Sequence, residues 1–219
     1  MGQSLTLEVL LDVFEQYNLA IWPMQVVGYI LGLAALYLII RKKGFYELWS
    51  GLILSFLWLW TGIVYFMLYL GPVYLPACVF GAFFVVQSLF YLLHAFVRRP
   101  PHGDTGSINR VVGILFVAYA MVGYPLAGIL LGHIYPWAPV FGLTPCPLVV
   151  FTFGLFLFSD RKLPWWMLPV PVLWAIGAIV PVSLGILEDI GLMVAGVVGT
   201  SLIIYRNRDT AKAGAGSSV

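Results

Sequence analysis

Apolar residues in this chain come in runs of about twenty, separated by short polar punctuation. The runs predict membrane-crossing helices over residues 19–40, 48–70, 76–98, 110–132, 139–158, 164–186 and 189–205. The last run is the shortest of the seven for a crossing. No ten-residue in/out alternation repeats along the chain, so a membrane β-barrel is not expected. Residues 5–17 follow a different pattern. Leu7, Leu10, Leu11, Phe14 and Tyr17 share one helical face and Glu8, Asp12 and Glu15 another, the spacing of an amphipathic helix lying at an interface. No basic start or small-residue cleavage site marks it as a secretory signal. From Arg206 onward the apolar pattern stops. The expected organisation is therefore an interfacial helix over residues 1–18, an all-α bundle of seven transmembrane helices over 19–205, and a disordered cytoplasmic tail over 206–219.

Composition agrees with lipid as the solvent. Of 219 residues 62% are hydrophobic and 9% charged, against about 25% charged in soluble domains. Charge then sets the expected orientation. The 11 basic residues are Arg41, Lys42, Lys43, Arg98, Arg99, Arg110, Arg161, Lys162, Arg206, Arg208 and Lys212. With seven spans all of them fall on one side, and the positive-inside rule puts the N-terminus outside and the C-terminus in the cytoplasm. The loop from Arg99 to Asn109 separates three spans from four. A net charge of +2 spread over short loops is not a nucleic-acid signal. The two cysteines, Cys78 and Cys146, form neither a disulfide framework nor a zinc spacing; a bond between them and two free thiols both remain open.

Polar chemistry is densest between Gly132 and Gly154, where His133, Tyr135, Trp137, Thr144, Cys146, Thr152 and four prolines border an apolar run. A proline inside a span leaves the carbonyl four residues earlier without its N–H, and some other group must satisfy it. Interrupted spans at matching places in two halves point to a transporter's binding site, and here the pair is Pro23 with Pro145 and Pro147. The alternative is that these prolines simply start helices. Spans 1–3 and 5–7 do share features: Trp22-Pro23 against Cys146-Pro147, Trp58 or Trp60 before Gly62 against Trp174 before Gly177, and Leu-Gly closing spans 2 and 6. A 3+1+3 repeat would follow. Gly191, Ala195 and Gly199 recur every four residues, which reads as close helix packing.

No Asp, Glu, Lys or Arg lies in the middle of a predicted span, as a carboxylate proton relay would require. Glu188 and Asp189 are expected to cap span 7. The first reading is a small-solute transporter or facilitator, with an outward-facing site for a neutral or aromatic solute between spans 1 and 5, lined by Trp22, Gln25, His133, Tyr135, Thr144, Cys146 and Thr152. The alternatives are an intramembrane metal, redox or enzymatic protein using His133, Cys146 and Glu188 or Asp189, and a non-catalytic subunit or scaffold. No catalytic residue, cofactor or metal ligand is assigned. The expected partners are the lipid bilayer, a solute, and a second copy or another membrane protein.

The segments Tyr17-Asn18, Trp22-Pro23 with Gln25, Trp58 to Tyr65, Phe80-Gly81-Ala82, Gly132-His133, Tyr135-Pro136, Thr144-Pro145-Cys146-Pro147, Phe151-Thr152-Phe153-Gly154 and Glu188-Asp189 together resemble a family of uncharacterised bacterial multi-pass inner-membrane proteins. The resemblance covers nearly the whole chain, and the Thr-Pro-Cys-Pro to Phe-Thr-Phe-Gly run is its most specific part. It implies a membrane domain in the inner (cytoplasmic) membrane and no particular substrate. The 3+1+3 arrangement also looks like the build of small sugar facilitators, at the level of fold alone; the proline–glutamine pair of that class is interrupted here by Met24.

Overall fold

The computed structural model describes residues 5–42, 44–97, 106–160 and 162–216, with side chains as far as Arg208. Lys43, Arg98, Arg99, His102 and Arg161, with most of the polar loop around them, lie outside the described residues. Every regular element described is helical. An amphipathic α1 (Leu7–Ala20) precedes α2 (Met24–Arg41) and α3 (Tyr46–Trp60), which continues as a π-helix over Thr61–Leu70. Then come α4 (Ala77–Phe96), α5 (Ser107–Ala118), a π-helical turn over Tyr119–Gly123, α6 (Tyr124–Leu130), and α7 (Pro145–Phe158). The last third holds α8 (Pro169–Gly177), α9 (Ile179–Leu184) and α10 (Ile190–Gly216).

Six helical stretches are long and apolar enough to cross a membrane: Met24–Arg41, Tyr46–Leu70, Ala77–Phe96, Ser107–Leu130, Trp165–Leu184 and Leu187–Arg208. The seventh apolar helix, α7, has 14 residues, about 21 Å of helix against a hydrocarbon core of about 30 Å. The short element is therefore the fifth predicted span, and the last one is the longest helix of all. All of residues 141–158 are buried. Packing explains why the shortness is tolerated. The order α2, α3, α4, α8, α10, α5 forms a ring around α7, which touches α2, α3, α5, α8 and α10. A helix walled by protein need not match the lipid. Irregular backbone just before it, including Phe141 to Thr144, sits inside the bundle, where such backbone is allowed. Gly28 and Gly32 of α2 make room for it: a Cβ on Gly32 would stand 2.5 Å from the Phe141 ring.

Three carbonyls four residues before prolines accept from side chains on neighbouring helices, and at Met121, where the helix runs on through Pro125, the proline itself frees the carbonyl. Met121, four residues before Pro125, accepts from Tyr29 at 3.0 Å. Leu143, four before Pro147, accepts from Tyr17 at 2.7 Å. Met167, four before Pro171, accepts from Gln87 at 3.3 Å and Tyr91 at 3.5 Å. Much of the interior polarity thus ties the bundle together.

Both ends of α7 are also provided for. Pro145 and Pro147 remove two of the N–H groups that a helix start leaves without partners. At the other end the Arg206 guanidinium donates to Phe156 O at 3.1 Å and Ser159 O at 2.8 Å. Asn207 bonds Leu163 through both its side-chain atoms. Arg206 and Asn207, where the expected tail begins, are thus part of α10. The buried carbonyl end of α7 gives Arg206 its place in the bundle.

In α1 the predicted face is the one that packs. Leu10, Phe14 and Tyr17 are buried together with Val13 and Asn18, Glu8 and Asp12 face out, and Thr6 caps the start. Phe14 stacks on Tyr65 at 5.9 Å and Tyr17 meets Tyr65 and Tyr69 edge-on. Tyr17 is fully buried and accepts from the Trp60 indole at 3.0 Å; burial raises its phenol above the ordinary value.

Candidate functional site

The helical irregularities gather around one chamber of about 290 Å³. The π-helix Thr61–Leu70 supplies Tyr65, Phe66 and Leu70; the π-turn Tyr119–Gly123 leads directly into Tyr124; and the buried start of α7 gives Thr144, Pro145 and Cys146. The fourth side is the break between α8 and α9, which falls at Ala178 just before Pro181 and supplies Trp174, Gly177 and Pro181. Single-turn π-bulges inside helices are frequent at functional sites. α1 forms the roof with Leu10 and Phe14, and Phe80, Phe83 and Phe84 of α4 form a wall. Phe66, Phe80 and Phe84 each meet the Trp174 ring edge-on, at 5.1 to 5.5 Å. The lining is overwhelmingly apolar and aromatic.

Against this lining stands one carboxylate. Asp189 is completely buried. Tyr124 Oη donates to its Oδ1 at 2.5 Å and Cys146 Sγ to its Oδ2 at 3.1 Å. Its neighbour Glu188, also buried, faces the other way. His133 Nδ1 lies 3.0 Å from Glu188 Oε1, and Tyr119 Oη donates to the Glu188 carbonyl at 2.6 Å. The two carboxylates expected to cap span 7 bond instead to side chains of other elements. Their irregular Leu187–Asp189 turn aims both inward, and hydrogen-bonding partners on α6, α7 and the loop before α7 draw them there.

His133 belongs to a second cavity, a groove of about 580 Å³ between α2, α6 and the loop from Leu131 to Phe141. Pro139 lines both cavities, so the His133–Glu188–Asp189 run sits in the wall between them.

The residues predicted from sequence divide accordingly. Trp22, Gln25, His133 and Tyr135 line the groove; Thr144 and Cys146 line the chamber; Thr152 lines neither. Thr152 accepts from the Trp58 indole at 3.0 Å and donates to Leu148 O, which locks α3 to α7. Gln25 donates to Asn18 O at 2.6 Å, Tyr135 to the same carbonyl at 3.4 Å, and Thr144 to Val140 O at 2.8 Å. The pairs His133–Glu188 and Cys146–Asp189 do bring together the four residues of the intramembrane enzymatic or metal alternative. Among the described residues, however, no three His, Cys, Asp or Glu are placed to hold a metal ion. Both cysteines are free thiols. Sequence reading missed Tyr124, Tyr65 and Phe66 as site residues. The Tyr124-Pro125 pair carried a signal, since Pro125 had to disturb the helix beside it.

Six long apolar helices ringed around a buried seventh, with a polar cluster between two cavities, define an all-helical multi-pass membrane protein. The chain belongs to the family of unknown function DUF6064, whose model matches residues 7–213. No curated protein and no solved structure matches it.

Proposed function

We propose that this protein is a carrier or facilitator that binds a small, largely apolar solute in the chamber beneath α1. The observation that carries the reading is convergence: one π-helical segment, the residue Tyr124 that follows a second, one broken helix and one buried helix start line an aromatic cavity that Asp189 closes. Discontinuous helices around a cavity at membrane depth are how transporters place binding groups away from lipid. In this reading all seven apolar helices cross the cytoplasmic membrane of a bacterial cell, with α1 and the groove outside and the C-terminus inside, and α8–α9 against α4 is the mobile wall.

The test is flux. The purified chain in liposomes, carrying Cys78→Ala so that Cys146 is the one thiol, is offered a panel of small aromatic alcohols, amides and amines. At least one should equilibrate faster than in protein-free liposomes, and alkylating Cys146 should stop it. A folded protein that moves none of the panel would sink the carrier reading.

A second reading, thiol chemistry at Cys146, is favoured by the Cys146–Asp189 contact, an acceptor placed where a nucleophile's proton must go. It requires that an activated acyl ester leave a mass adduct on the intact protein that is absent in Cys146→Ala.

A further inference from the structure

The charges around the chamber do not balance, and the imbalance selects a class of ligand. Glu188 and Asp189 are adjacent, buried carboxylates. Isolated charge in such surroundings is costly unless it is paired. The groups that face Asp189 are Tyr124 from α6, Cys146 from α7, Tyr65 from the π-helix and Glu188 beside it; Tyr119 and His133 stand on Glu188. His133 is the one base in this set. Every Lys and Arg of the chain lies at positions 41–43, 98–110, 161–162 or 206–212. Along α10 the nearest of these, Arg206, is about 25 Å from Asp189. His133 is committed to Glu188, so among the described residues Asp189 has no cation of its own.

The hydrogen bonds around Asp189 can satisfy it as an anion, the state that a bound cation would meet. Tyr124 and Cys146 both donate to it, one to each oxygen, and a carboxylate accepts both without rearrangement. The cavity walls point the same way. Tyr65, Phe66, Phe84 and Trp174 offer ring faces and edges around the space that Asp189 closes, and aromatic faces attract cations, most strongly where water is excluded. A volume of about 290 Å³ sits at the small end of ligand pockets, about 300 to 1,000 Å³.

We propose that the chamber's ligand is a lipophilic organic cation, a compact ammonium with an apolar or aromatic body, and that it competes with a proton for Asp189. In the empty chamber the missing positive charge is a proton on the Asp189–Cys146–Tyr124 group. When the cation enters, that proton leaves, with the His133–Glu188 pair and the groove beyond it as the exit nearest at hand. The inference rests on the chamber being a binding site and adds charge selectivity to that reading.

The test uses the full chain in detergent with Cys78→Ala, and the alkylation rate of Cys146 as the readout. Two probes of the same shape are compared: benzyltrimethylammonium and its neutral carbon isostere, neopentylbenzene. The cation should protect Cys146 at a concentration about tenfold or more below the neutral probe. Its protection, taken as a ratio to the unprotected rate at each pH, should strengthen as the pH rises, because fewer protons then compete. Asp189→Asn should remove the preference for the cation and leave protection by the neutral probe unchanged. The comparison of probes on unaltered Asp189 stands even if that variant fails to fold. Equal protection by both probes would overturn the cation inference and leave the chamber reading intact. Protection by neither would overturn both.

Discussion

Tyr119 packs so closely on α10 that any side chain at the position opposite it must push the ring aside. A Cβ built on Gly191 would lie 2.2 Å from the Tyr119 ring, and the same tyrosine holds the carbonyl of Glu188. Gly191→Ala should therefore cost about 1–3 kcal/mol as an overpacking change and loosen the Glu188–Asp189 turn. Gly177→Ala, with nothing within 4 Å of its added carbon, should leave the melting temperature in detergent unchanged. Equal melting of the two variants would disprove this packing argument. Tyr17 makes a second prediction. Tyr17→Phe removes the donor to Leu143 O and the acceptor for the Trp60 indole at once, and should lower stability by about 1–3 kcal/mol. Denaturation in mixed micelles would measure it.

At the scale of the element, the sequence reading and the structure agree on what a proline requires and differ on what supplies it. That a carbonyl is freed four residues before a proline inside a continuing helix, as at Met121 before Pro125, follows from covalent structure. That Tyr29, Tyr17 and Gln87 would be the donors was not legible, because the pairs are separated by 80 to 126 residues and no alignment of helices had yet brought them together. The same limit hid the role of Arg206: a basic residue after an apolar run looks like the start of a tail until the carbonyl end of another helix is seen beside it. The amphipathic α1, a matter of local spacing, was legible as a helix and in Leu10, Phe14 and Tyr17 of its buried face, though not in Val13 and Asn18. These pairings predict a thermodynamic cycle. Tyr29→Phe should destabilise by about 1 kcal/mol or more, and Pro125→Ala should reduce that penalty, since the alanine N–H can serve Met121 O itself. Additive effects in the two variants would refute the pairing.

For the molecule as a whole, the seven-span reading makes a geometric demand. Reporter fusions after Asn207 and within the loop between α6 and α7 should report opposite sides of the membrane, and a fusion between α4 and α5 should share the side of the first. A C-terminus on the same side as the α6–α7 loop would mean that α7 does not complete a crossing. Composition and charge made the membrane bundle legible. They could not reveal which helix lies at the centre, because a fully apolar run reads the same whether lipid or protein surrounds it. The central place of α7 has a consequence for how the chain is made. The helices α2 to α5 leave the ribosome first and can form only part of the ring, open on one side. α7 then arrives as a segment too short to rest comfortably in lipid, and α8 and α10 follow to wall it in. Assembly is therefore ordered by translation. A chain stopped before α8 should hold its fifth apolar segment in an unfinished enclosure, exposed to the cell's membrane quality-control proteases, whereas loss of the residues after Arg208 should leave the enclosure closed.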